Sequence, residues 1–107
     1  MKKLTNLNKE IKTLNNLAII GMDGKTPMTF KSALISICEL HRPKKAGTGE
    51  AIKAFTLGSK FQEAKDDIQL EETDIEFLKK IINETEVYVA VIVGRLIQFL
   101  DGELKAD

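Results

Sequence analysis

Tryptophan is absent, and cysteine, histidine and tyrosine each occur once among the 107 residues. A single cysteine excludes an internal disulfide framework and fits a reducing compartment. With only one histidine and one cysteine, the chain cannot build a zinc site of the usual Cys/His kind by itself. The longest unbroken apolar run covers residues 87–93, seven positions, against the roughly 20 that a helix needs to cross a bilayer. No apolar stretch follows Met1, Lys2 and Lys3, so no secretory signal is read there. Internal repeats and low-complexity linkers are missing as well. What remains is an ordinary globular composition, 43% hydrophobic and 30% charged, of a length that fits one domain with one modest core.

Formal charges sum to zero, but they are unevenly spread. Residues 1–60 hold eleven Lys/Arg against four Asp/Glu, a net +7, and residues 61–107 hold five against twelve, a net −7. Such polarity can steer an anion to one face or pair copies head to tail. It can equally be neutralised where the two halves meet in the fold.

Hydrophobic spacing sets the expected elements. Leu4, Leu7, Ile11, Leu14 and Ala18 follow the 3-4 alternation of a heptad. Residues 1–17 therefore read as an amphipathic arm, and residues 18–107 as the globular domain. Leu4, Leu7, Ile11 and Leu14 are its expected contact residues, packed on the chain's own domain or on a neighbouring subunit. Residues 17–21 and 26–28 flank Asp23 and Gly24, a hairpin signal because both tolerate positive φ. Pro27 limits the return strand to an edge. Phe30, Ala33, Leu34, Ile37 and Cys38 then give a helical stripe to about Leu40, with Thr29 as N-cap. Pro43 disfavours helix in the residue before it.

Glu50 opens a second helix whose expected face is Ala51, Ala54, Phe55, Gly58, Phe61 and Ala64. A mid-helix glycine costs about 1 kcal/mol relative to alanine, so Gly58 marks close approach by another element. Ile68, Gln69 and Leu70 read as a short strand, and Thr73 with Glu76 as the capping box of a third helix. Residues 85–101 have strand-like composition in their first half. Their length and the Gly102 stop favour a helix instead. The expected fold class is thus α+β and mostly helical, a short N-terminal β-hairpin followed by about four helices in a small bundle.

The stretch Asp23, Gly24, Lys25, Thr26, Pro27 before a helix, the run from Ala64 through Lys65, Asp66 and Asp67 to Leu70, the helix after Thr73, and Val93, Gly94, Arg95 together resemble small accessory proteins of tailed bacteriophages and prophages. The resemblance covers about residues 18–102. It implies a role in the bacterial cytoplasm, as an accessory protein or a minor part of virion assembly, and it carries no catalytic residues.

Among chemistry-bearing residues, Cys38 and His41 are one helical turn apart, the minimum for a thiolate–imidazole pair. Cys38 also completes the apolar stripe, and no glycine-rich turn surrounds it, so it reads as core. The acids Glu63, Asp66, Asp67, Glu71, Glu72, Asp74 and Glu76 lack the order of an EF-hand. They read mainly as capping charges at a helix start. The basic glycine-containing stretch with Arg42, Lys44, Lys45, Gly47, Thr48 and Gly49 precedes a helix, where backbone N–H groups attract anions. Together with Arg95, a lone cation in an apolar helix, it is the candidate ligand site. The alternatives are a solvated loop and a structural ion pair.

The basic residues lack the aromatic interleaving of nucleic-acid binders. The expectation is a non-enzymatic homo-oligomer without cofactor or metal. It sequesters an anionic nucleotide-type ligand in a counter-defence role; the alternative is an interaction module that inhibits a host protein or serves virion assembly.

Overall fold

A computed structural model of the chain describes residues 2–15, 17–20, 24–41, 49–85, 88 and 90–102. The fold is α+β and mostly helical. Strand β1 (Lys2–Leu4) is followed by helices α1 (Phe30–Leu40) and α2 (Glu50–Glu63), strand β2 (Ile68–Leu70), and helices α3 (Glu72–Glu84) and α4 (Ala90–Asp101). β1 and β2 pair antiparallel with Leu4 opposite Ile68.

Residues 2–20 do not form a heptad helix. Leu4 belongs to β1, and the chain then bends at Asn6, whose φ is +64°. Leu7 N–H donates to the Asp66 carbonyl at 2.9 Å. Asn8 donates its backbone and side-chain N–H groups to the Asp66 carboxylate, at 3.2 and 3.3 Å. Further along, three extended segments close a ring. Ile11 N–H donates to Met28 O (2.8 Å), Met28 N–H to Ile19 O (2.6 Å), and Ile19 N–H to Ile11 O (3.1 Å). The Ile20–Pro27 antiparallel bridge of this ring pairs the two arms of the expected hairpin, while Asp23 of its turn lies outside the described residues. Four asparagines weaken the helical alternative, and the ring gives the same leucines an inward direction without it. Leu4, Leu7 and Ile11 are buried in the core. The arm is therefore part of the domain.

α1 has the expected limits. Thr29 is its N-cap, with Thr29 Oγ1 accepting from Ser32 N–H at 3.1 Å and Ser32 Oγ from Thr29 N–H at 3.0 Å, a reciprocal cap. His41 ends the helix in extended geometry. α3 starts earlier than Thr73 suggests. Its N-cap is Glu71, whose N–H donates to the Asp74 carboxylate at 3.3 Å. β2 ends at the buried Leu70, so the chain must turn at once, and the nearest acid three residues on takes the capping role. Thr85 closes α3 in extended geometry, with its N–H on Ile82 O at 3.4 Å. The last helix therefore does not begin at Thr85. α4 is described from Ala90, residues 86, 87 and 89 lie outside the described residues, and the helix runs to Gly102 as foreseen.

The core is one cluster in which the stripe of α1 meets Leu57 and Phe61 of α2, the apolar face of α3, and Ile92, Leu96, Phe99 and Leu100 of α4. Phe30 stacks on Phe99 with ring centroids 4.4 Å apart. Each such side chain contributes roughly 1.5–3 kcal/mol of transfer free energy. The charge halves meet locally: Lys3 faces Asp67 at 3.4 Å and Lys53 reaches Asp74 at 4.0 Å.

Candidate functional site

α1 and α2 pack antiparallel and unusually close. A Cβ built on Gly58 would stand 3.1 Å from the Cβ of Cys38, a tight contact that any larger residue would meet only if Cys38 gave way by a few tenths of an ångström, so Gly58 marks the close approach expected there. Close approach of the backbones leaves a groove along the outer side of the pair, about 500 Å³ in volume. That lies within the range of pockets that hold ligands or side chains of partners.

Ile35, Cys38, Ala54 and Gly58 give the groove an apolar lining, and Phe55 stands on its border. The buried stripe of α2 is Ala54, Leu57, Gly58 and Phe61, the i, i+3, i+4, i+7 series of one helical face. Ala51 and Phe55, expected on that face, lie outside it. Phe55 is 74% exposed, and Ile52, one turn before it, 73% exposed. Two large apolar side chains thus share an outward face of α2 beside the groove. Charge at the groove comes from Glu39 and Glu63. Among the described residues neither side chain has an ion pair or hydrogen bond, and no lysine or arginine lines the groove.

One end of the groove is held by a polar latch. Glu50, in the first turn of α2, accepts from Lys80 Nζ at 2.6 Å and faces His41 Nε2 at 3.4 Å. Lys80 holds the Glu50 carboxyl below its ordinary value, with His41 adding to the effect, and Glu50 in turn raises the Lys80 ammonium. His41 also lies edge-on to Phe77, 6.0 Å between centroids. The imidazole is therefore committed to Glu50. Cys38, buried, has its thiol pushed up to about 12 by desolvation and then by the neighbouring Glu39 charge. A thiol so raised supplies almost no thiolate near neutrality, and Cys38 serves as a core residue.

Of the ligand residues expected from the sequence, only Gly49 and Arg95 lie among the described residues. Arg42, Lys44, Lys45, Gly47 and Thr48 lie outside the described residues. Gly49 is the N-cap of α2 with φ +78° and no side-chain cap bond, a left-handed conformation that favours glycine. Among the described residues Arg95 pairs with backbone carbonyls and with no carboxylate. Its Nε donates to Lys12 O and its Nη2 to Thr13 O, both at 3.1 Å, so the guanidinium ties α4 to the ring just after Ile11. Bulk aliphatic neighbours on α4 offer it no carboxylate, and backbone carbonyls left over by the turn satisfy it instead. Gly94 has no neighbour within 4 Å of a built Cβ.

Of the expected contact residues, Leu4, Leu7 and Ile11 are spent on the core, and Leu14 alone is free, 84% exposed. The bend and the ring explain the split: Leu7 after the Asn6 bend and Ile11 in the ring face inward, while the chain between Ile11 and Ile19 carries Leu14 into solvent. Of the acids, Asp66, Asp67 and Asp74 hold the partners described above and Glu71 caps α3, while Glu63, Glu72 and Glu76 have no partner among the described residues. A second cleft, about 110 Å³, is lined by Lys2, Lys3, Lys9 and Gly102 at the end of α4, where lysines complement the negative helix end. Among the described residues no group of three His, Cys, Asp or Glu side chains is placed to hold a metal, and no helix is long and apolar enough to cross a membrane.

Comparison of the chain with models of protein families, with curated proteins and with solved structures finds no match. A functional reading rests on geometry.

Proposed function

We propose that the chain is a non-enzymatic interaction module that captures another protein through the outward face of α2 and the α1–α2 groove. The observation that carries this reading is the pair Ile52 and Phe55, 73% and 74% exposed beside a groove of about 500 Å³. Exposed apolar residues clustered at a concave site are what partner surfaces share, and ordered helical scaffolds present them at i, i+3 spacing. In the setting implied by the resemblance to phage accessory proteins, the partner is a host protein or a virion component, met in the bacterial cytoplasm. Self-association, expected from the sequence, would fall to the exposed Leu14 and Leu17, since Leu4, Leu7 and Ile11 are committed to the core.

Sequestration of an anionic nucleotide by the stretch from Arg42 to Gly49 is the second reading, favoured by the left-handed Gly49 at the start of α2. Two observations oppose it: Arg95 is committed to carbonyls, and the Glu50 carboxylate stands at the same helix start. Affinity capture from bacterial extract separates the two readings. The interaction reading expects partners that are retained by wild type and by Lys44→Ala/Lys45→Ala but lost by Phe55→Asp. Loss with the lysine variant alone, together with a nucleotide-sized adduct in native mass spectrometry, would replace it with the sequestration reading.

A further inference from the structure

The geometry points to a basic amphipathic helix as the occupant of the α1–α2 groove: a partner segment that seats apolar side chains against Phe55 between flanking lysines or arginines. This rests on the reading of the face as a binding surface and adds the chemistry of what binds there.

Three contacts fix how α1 and α2 lie. Lys31 Nζ donates to Ala64 O at 2.5 Å, Cys38 lies against Gly58, and His41 faces Glu50. The helices run antiparallel, so Glu39 stands level with the middle of α2 while Glu63 belongs to its last turn. Roughly six helical residues separate the two levels, about 9 Å at the rise of an α-helix. Both acids line the groove, yet neither has a partner among the described residues. Five other carboxylates are engaged: Asp66 with Asn8, Asp67 with Lys3, Asp74 with Lys53, Asp101 with Lys79, and Glu50 with Lys80. Glu10, Glu72 and Glu76 also have no partner among the described residues, but only Glu39 and Glu63 line the groove.

A carboxylate beside an apolar wall attracts a cation more strongly than one in open water, because the wall lowers the local dielectric. A helix laid along the groove would place its apolar stripe on Phe55, Ala51 and Ala54. Cations about two turns apart would then reach Glu39 and Glu63. A second copy of the chain fits less well. A two-fold pairing of groove on groove repeats the same patch on both sides and would bring four unpaired carboxylates around one apolar seam. Like charges so placed disfavour association.

Fluorescence anisotropy with two synthetic amphipathic peptides tests this. Both carry the same leucine stripe, one flanked by lysine and the other by glutamate. The lysine peptide should bind roughly tenfold more tightly at low salt, with the margin shrinking in high salt as screening grows. Glu39→Lys/Glu63→Lys should reverse the preference, and Phe55→Asp should weaken both peptides. Equal binding of the two, still lost in Phe55→Asp, would leave the binding surface standing and overturn the basic partner. Binding of neither peptide, or binding indifferent to Phe55→Asp, would overturn both. A wild-type dimer in sedimentation equilibrium that Phe55→Asp dissociates would give the groove to a second copy and overturn the assignment as well.

Discussion

α2 and α3 are 14 and 13 residues long, and both are amphipathic, but they use their apolar residues differently. α3 buries Ile75, Leu78, Ile81 and Ile82, and its remaining large apolar residue, Phe77, is half-buried beneath His41 and the Lys53 ammonium, 5.1 Å from the ring centroid. Its outer positions are Glu72, Glu76, Lys80, Asn83 and Glu84. α2 buries Leu57 and Phe61 and leaves Ile52 and Phe55 in solvent among Thr56, Lys60 and Glu63. Folding accounts for every large apolar residue of α3 and for only half of those on α2. The half left over lies beside the groove along the Gly58–Cys38 contact, where Glu39 and Glu63 also have no partner among the described residues. Apolar side chains and charges that the fold does not use, gathered in one place, are the physical mark of a surface kept for something else.

The comparison can be broken at its strongest point first. Leu78→Ala on α3 should lower stability by about 2–5 kcal/mol through lost burial and the cavity left behind. Ile52→Ala on α2 should stay within about 0.5 kcal/mol of wild type. Urea unfolding of both variants measures the gap, and equal losses would erase the distinction between the helices.

Next comes the cation the fold does use. Arg95→Met removes two charge-assisted bonds and leaves Lys12 and Thr13 carbonyls without their donor, at about 1–3 kcal/mol. Faster amide hydrogen exchange over residues 11–19 should accompany the loss, because that ring is what Arg95 ties to α4.

The latch at the end of the groove gives a smaller, pH-dependent effect. Glu50 has its pKa lowered in the folded chain, chiefly by Lys80. Its contribution is therefore present above the ordinary carboxyl value of 4.5 and is lost as pH falls through the lower folded value. Lys80 is raised by the same pair, so its share is present below its ordinary value and lost as pH rises past the folded one. Melting temperatures of wild type and Glu50→Gln should differ near neutrality and converge in acid. A constant difference across that range would show that the charge of Glu50 is not what matters.

The mildest test concerns reactivity rather than stability. Cys38, held up at about 12, should resist iodoacetamide at pH 8 in the native chain and react on unfolding. Rapid native alkylation would mean that the groove floor opens.

Much of the fold is legible in the sequence where the signals are local. Thr29 marks the start of α1, its stripe carries the helix to Leu40, and the Ile68–Leu70 strand sits between two helical patterns. Signals that depend on distant partners are not legible. The spacing of Leu4, Leu7 and Ile11 fits a heptad as well as it fits a bent strand and a ring. What decides between them is Asp66, some sixty residues away, and the Asn6 bend. Arg95 reads as a ligand contact or half of an ion pair, because its acceptors are carbonyls 82 and 83 positions earlier in the chain.

The candidate groove was half visible. Gly58 announced a close helix pair, and the stripe Ala54, Leu57, Gly58, Phe61 by itself would have turned Ile52 outward. Phe55 reads as inward because it sits one residue from Ala54 and falls within the series of Ala51, Ala54 and Gly58. Nothing in the spacing joins Glu39 to Glu63; only the antiparallel packing does.

Urea unfolding of Phe55→Asp tests the central claim most directly. A charge placed at a side chain the fold does not use should leave the unfolding free energy within about 0.5 kcal/mol of wild type, with an unchanged m-value. A loss of about 2 kcal/mol or more would place Phe55 in the core and remove the contrast between α2 and α3.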